Sequence, residues 1–103
     1  MGEKNILLKV HKSYRWVVAV CDKELYGNKF VEDKKQLDLT GEFFHGDEMN
    51  CDEVKNEIER CALEDATFNI VGENSVRIAK EMGVVVDGGV SEIKGIPFAL
   101  VLV

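Results

Sequence analysis

The chain has 103 residues, of which 46% are hydrophobic and 31% charged, with a single proline. That length suits one domain spanning 1–103, able to bury one core without disulfide or metal staples. The composition excludes a disordered tail, a coiled coil and a membrane span. Nineteen acidic against thirteen basic residues give a net charge of −6. Non-specific nucleic-acid binding is therefore disfavoured, because phosphate neutralisation supplies most of that affinity. Docking onto a basic protein surface stays open. The densest basic group, Lys4, Lys9, Lys12 and Arg15, reads as the solvated rim of a hairpin.

Residues 5–11 alternate and predict a first strand, with Ile6, Leu8 and Val10 on one face and Leu7, Lys9 and His11 on the other. Residues 15–21 predict a second strand, apolar on both faces through Val17, Val18, Ala19 and Val20, hence more central. An antiparallel hairpin joins the two. Residues 22–25 suggest one helical turn, residues 30–31 and 36–39 two short extended pieces, and residues 40–50 the least regular stretch.

A helix is expected over residues 51–63. Asn50 and Glu53 form a capping pair, and Val54, Ile58, Cys61 and Ala62 make one buried stripe. Residues 67–71 read as extended or loop. A second helix opens at Gly72 or Glu73 and ends at Met82, with Ser75, Val76, Ile78, Ala79 and Met82 inward and Gly83 as a left-handed stop. Residues 84–86 and 90–93 predict strands around the turn Asp87-Gly88-Gly89. After a tight turn at Lys94-Gly95, residues 96–103 form a final strand with Pro97 at its beginning. The order points to an α+β, two-layer single domain, a mixed or antiparallel sheet packed against two helices.

Three cysteines, Cys21, Cys51 and Cys61, have neither a C-x-x-C pair nor a recurrent zinc spacing, so they read as free thiols in a reducing compartment. The opening residues carry no signal-like apolar run, and position 6 is Ile where a myristoylation signal wants Ser or Thr. No stretch approaches the roughly 18–20 apolar residues of a membrane span. A soluble cytoplasmic protein is expected.

Candidate sites are few. His45, Asp47, Glu48, Cys51 and Asp52 gather metal donors, but in neither a calcium-loop nor a zinc spacing, and acids there also suit the start of a helix. No metal and no cofactor is expected. Asn69, Gly72, Glu73 and Ser75 surround a helix N-terminus, where free N–H groups favour an anion and a glycine admits a close ligand. The same residues also serve as a plain cap. His11 and His45 have no adjacent nucleophile, Trp16 alternates with Val18 and Val20 as a core residue would, and no catalytic residue can be assigned.

Several segments together resemble a family of small archaeal proteins described as domain of unknown function four-two-four. They are Val17-Val18-Ala19-Val20-Cys21-Asp22 with Glu24-Leu25 and Gly27, then Lys29-Phe30. Further on come Ala66, Asn69-Ile70-Val71-Gly72-Glu73, Ser75-Val76 and Gly95-Ile96-Pro97. The family pattern tends to place His after that proline, where this chain has Phe98, which counts against catalysis there. The resemblance implies a compact α/β domain in an archaeal cytoplasm and no assigned activity. The expected function is a non-catalytic binding module that docks a protein or ribonucleoprotein partner. The alternative is a small-molecule or anion binder at Gly72, and a homodimer through the 96–103 strand is a third expectation.

Overall fold

The computed structural model describes residues 3–102. Its main sheet has six strands in the order β5-β1-β2-β6-β8-β7, and a separate two-stranded ribbon is formed by β3 and β4. In chain order these are β1 (Ile6–His11), β2 (Val17–Asp22), β3 (Lys29–Glu32), β4 (Lys35–Asp38), β5 (Asp47–Met49), β6 (Thr67–Val71), β7 (Ser91–Ile93) and β8 (Ile96–Val101). The helices are α1 (Cys51–Ala62) and α2 (Glu73–Glu81), with single 3-10 turns at Lys23–Leu25 and Asp87–Gly89. The sheet is mixed: β2 runs parallel to β6, and every other pairing is antiparallel.

Alternation along the strands divides the core into two layers. Ile6, Leu8, Val18, Val20, Phe68, Ile70 and Ala99 face the helices and pack on Val54, Ile58 and Cys61 of α1 and Val76, Ile78 and Ala79 of α2. Leu7, Ala19, Cys21 and Val71 face the other way, under Leu39 and Phe44 and beside Leu25, Phe30, Leu37 and Phe98. The fold is the expected α+β domain, a mixed sheet packed against two helices, with the β3–β4 ribbon and the 39–46 segment lying against the sheet's other face. Leu39 is fully buried there, its amide donating to the Asn28 carbonyl and its carbonyl accepting from the Gly27 amide.

Most of the expected elements are present, with local differences. Asn50 and Glu53 close the capping box of α1 in both directions. Ala62 is exposed rather than part of the buried stripe, because Cys61 already ends the helix face that meets the sheet. Residues 84–86 form no strand. Val85 plugs the helix-side core while Val86 is exposed, so the valines serve packing rather than a ladder. A strand not anticipated, β5, pairs with β1 at the sheet edge. The final strand pairs with β7 over 96–98 and with β6 over 98–101, so that Phe98 alone is flanked on both sides, while Leu100 and Leu102 are exposed. Residue 103, its expected last member, lies outside the described residues.

Two turns show why the chain reverses where it does. Lys94 and Gly95, the two-residue link of β7 and β8, both take positive φ, 53° and 78°, the geometry that matches strand twist in a tight hairpin. Gly83 has φ 79° just past α2, the left-handed stop expected from the sequence.

Candidate functional site

Parallel pairing of β2 with β6 puts the carboxyl ends of both strands at the same edge of the sheet. β2 ends in Asp22. β6 ends in Val71, and the chain passes through Gly72 directly into α2. The N-terminus of α2 therefore sits over Asp22, in the kind of crevice where open α/β sheets gather ligands.

Asp22 fills that crevice from within. Its Oδ1 accepts the Ser75 amide at 2.9 Å and the Ser75 hydroxyl at 2.8 Å. Its Oδ2 accepts the Asn74 amide at 3.1 Å and the Asn74 side chain at 3.4 Å. Gly72, the N-cap, supplies no side chain, so a carboxylate from a strand some fifty residues earlier supplies the cap that the local sequence omits. The positive end of the helix dipole also favours that charge. Gly72 has φ 109°, and a Cβ on it would stand 2.7 Å from each carboxylate oxygen. Only glycine admits this approach. The Gly72 amide donates to the Pro97 carbonyl at 2.8 Å, tying β8 into the same corner.

The four residues expected to form a ligand site divide accordingly. Gly72 and Ser75 are buried around Asp22, and Glu73 is exposed beside them. Asn69 lies elsewhere: it pairs with Ala19 and Leu100 and shares the ribbon-side face of the sheet with Val71, the face away from α2. The amides of Asn74 and Ser75, which an incoming anion would need, already donate to Asp22. Asp22 escaped the sequence reading as a site residue, since nothing local marks a side chain whose partners lie 52 and 53 positions away.

Outside this corner is a cleft of about 270 Å³ lined by Asp22, Glu24, Leu25, Glu73, Gly95, Ile96 and Pro97. Glu24 and Glu73 are exposed, Leu25, Ile96 and Pro97 half-buried. The floor is apolar and the rim is acidic. Three of the segments that carry the family resemblance, around Asp22-Glu24-Leu25, Gly72-Glu73 and Gly95-Ile96-Pro97, meet at this one place.

The other candidates are absorbed by the fold. His45 stacks on Tyr26 at 5.4 Å, and Glu48 pairs with Lys23 at 3.0 Å. His11 stacks on Phe43 at 4.6 Å. Trp16 packs at the core margin with Lys12 and Arg60 over its ring, 4.8 and 5.8 Å from the centroid. Burial, with the Asp22 charge adding to it, pushes the Cys21 thiol up to about 12. Burial likewise raises Cys61. Among the described residues, no group of three or more His, Cys, Asp or Glu is placed to hold a metal ion, and no helix is long and apolar enough to cross a membrane.

The fold is similar to that in the crystal structure of an uncharacterized conserved protein from Methanopyrus kandleri, with a TM-score of 0.83 and 23% identity over 92% of this chain and 88% of that one. At that identity the likeness concerns the fold. No curated protein matches the chain. A family model described as "Protein of unknown function (DUF424)" matches residues 10–103, and the chain belongs to that family.

Proposed function

We propose that this protein is a non-catalytic docking module of the cytoplasm, and that its acid-rimmed cleft receives a basic, extended segment of a protein or ribonucleoprotein partner. The observation that carries the reading is the pairing of exposed Glu24 and Glu73 over the apolar floor of Leu25, Ile96 and Pro97. Lysine or arginine heads would meet the two carboxylates while their aliphatic stems cover the floor. The net charge of −6 steers such a partner toward the surface from a distance.

The same corner bears on the alternative of a small anion at the Gly72 helix start. An anion there would have to displace Asp22 and sit against Glu73, so the cleft suits cationic groups better. A small ligand bearing an amine is the form of that alternative which fits the rim.

The test is tagged purification from an archaeal extract at low and high salt, with both eluates analysed for protein and RNA. It compares the wild type with a Glu24→Arg, Glu73→Gln double variant. A basic protein or ribonucleoprotein captured at low salt, released at high salt and missed by the variant supports the reading. Equal capture by both proteins, or none by either, overturns it. In the latter case, a melting shift with a polyamine panel would move the assignment to a small cationic ligand.

A further inference from the structure

β5 is shorter than the strand it borders. β2 pairs with β1 along its whole length to His11, whereas β5 pairs only with Ile6, Leu7 and Leu8. The Lys23 amide donates to the Asn5 carbonyl at 2.8 Å, which sets the phase of the antiparallel ladder. Leu7, Lys9 and His11 turn their backbone groups toward β2, and Ile6, Leu8 and Val10 turn theirs toward the outer edge. Ile6 and Leu8 meet Met49 and Asp47 there. Val10 faces the place where the next residues of β5 would lie.

Those residues have been diverted. Gly46 lies so close to the Leu8 carbonyl and the Lys9 amide that any side chain would collide with them. His45 donates its amide to the Glu42 carbonyl at 3.0 Å instead of to β1, and Phe44 is buried on the ribbon side of the sheet. The chain thus leaves the edge and crosses over the face. What remains at the edge is a notch of about 370 Å³ with Lys9, Val10 and Lys12 on one side, Met49, Glu57 and Arg60 on the other, and His45, Gly46 and Asp47 closing its β5 end.

The notch carries three cations, Lys9, Lys12 and Arg60, against two carboxylates, Asp47 and Glu57, on a protein whose net charge is −6. Glu57 is already bonded to Arg60 at 2.7 Å, and Lys12 has no carboxylate within ion-pair distance among the described residues. Both cations lie over the Trp16 ring.

We propose that this notch is a second docking site, which takes an extended acidic peptide segment of a partner as an added strand beside Val10. The outward-facing backbone groups of Val10 supply hydrogen bonds, and Lys12, with no carboxylate of its own, selects an acid on the added strand beside the Arg60–Glu57 pair, with Met49 and Val10 offering an apolar contact. A second copy of β1 is disfavoured, because its own Lys9 and Lys12 would come against these cations. The proposal is independent of the cleft at Glu24 and Glu73, which has the opposite charge preference.

A fluorescein-labelled peptide Asp-Ile-Glu-Val-Asp, titrated against the full chain by fluorescence anisotropy, tests it, with Lys-Ile-Lys-Val-Lys as the control. The acidic peptide is expected to bind, to slow hydrogen exchange at the Val10 amide, and to bind the Glu24→Arg, Glu73→Gln protein as well as the wild type. A Lys12→Glu, Arg60→Glu protein is expected to lose affinity at least about tenfold, equivalent to about 1.4 kcal/mol. Lys12→Glu alone, in an exposed turn, keeps the test open should the double variant melt early. No binding, equal binding of the basic peptide, affinity unchanged in both the Lys12→Glu, Arg60→Glu protein and the Lys12→Glu protein, or binding without protection of Val10 would each overturn the proposal.

Discussion

Asp22 and Ser75 are joined twice at a single oxygen: Oδ1 accepts both the Ser75 amide and the Ser75 hydroxyl, at 2.9 and 2.8 Å. Both residues are buried, at 4% and 0% exposure. The pair locks the end of β2 to the first turn of α2, and it replaces with a long-range contact what a local N-cap side chain does in most helices.

Removing the carboxylate leaves two helix amides and a buried hydroxyl without their acceptor. Asp22→Ala is expected to cost about 3 kcal/mol, the sum of a lost cap and unsatisfied buried donors. Asp22→Asn keeps one acceptor oxygen and is expected to cost about half as much. Ser75→Ala removes one bond only and should cost about 1 kcal/mol. Urea unfolding of the three variants, with the Asp22→Ala, Ser75→Ala double variant closing a cycle, measures these values. Strictly additive losses would contradict a shared network.

Gly72 and Gly27 offer a matched comparison. Both have positive φ, 109° and 92°, but a Cβ on Gly27 meets nothing within 4 Å, whereas one on Gly72 runs into the Asp22 carboxylate. Gly27→Ala should cost about 1 kcal/mol, the penalty for a left-handed alanine. Gly72→Ala adds a collision, and its φ and ψ of 109° and 155° belong to a region essentially restricted to glycine. Its cost is expected to exceed that of Gly27→Ala by more than about 2 kcal/mol in the same denaturant titration. Substitutions at Gly72 or Ser75 therefore probe the fold before they probe any ligand.

Elements with a periodic apolar pattern were legible in the sequence. β1, β2, α1 and α2 lie within two residues of their expected bounds, because each buries a face whose period announces itself. β5 was not, since Asp47-Glu48-Met49 has no apolar alternation and is held as a strand by its pairing with β1. Residues 84–86 misled in the opposite sense: of these three valines only Val85 is buried, as a loop plug, and Val86 is exposed. The candidate site was half legible. Glycine at a helix start marked the corner, but the group that occupies it, Asp22, and the sheet face that separates Asn69 from it are set by the parallel pairing of β2 with β6. Strand order leaves no local trace.

The capping box of α1 is a second, wholly local device. Asn50 Oδ1 accepts the Glu53 amide and Glu53 Oε1 accepts the Asn50 amide, both at 2.9 Å. Asn50→Ala is expected to cost about 1 kcal/mol. Glu53→Ala should cost less, since its loss returns one amide to solvent at a half-exposed position. Thermal melts would show drops of about 4–8 °C per kcal/mol for a domain of this size. A larger effect from Glu53 than from Asn50 would mean that the exposed ion pair of Glu53 with Lys4, at 3.6 Å, matters more than such pairs usually do.

The Cys21 thiol gives the fold a dependence on alkaline pH. Burial and the neighbouring Asp22 charge push it from the ordinary 9.0 up to about 12, so the folded state holds that proton more tightly than the unfolded chain. The stabilisation is fully present below about pH 9 and is lost as pH rises toward about 12. Because the thiolate is the reactive form, Cys21 should resist thiol reagents in the native protein at pH 8, well below the pH at which the folded protein gives up that proton. Cys61, buried and also raised, should resist as well, leaving half-buried Cys51 to react first. Mass spectrometry after brief iodoacetamide treatment, with and without urea, assigns the order of labelling. Denaturant midpoints for the wild type and Cys21→Ala between pH 8 and 11 then test the linkage. The wild type should lose more stability over that range than the variant, and parallel curves would show that Cys21 contributes nothing to it.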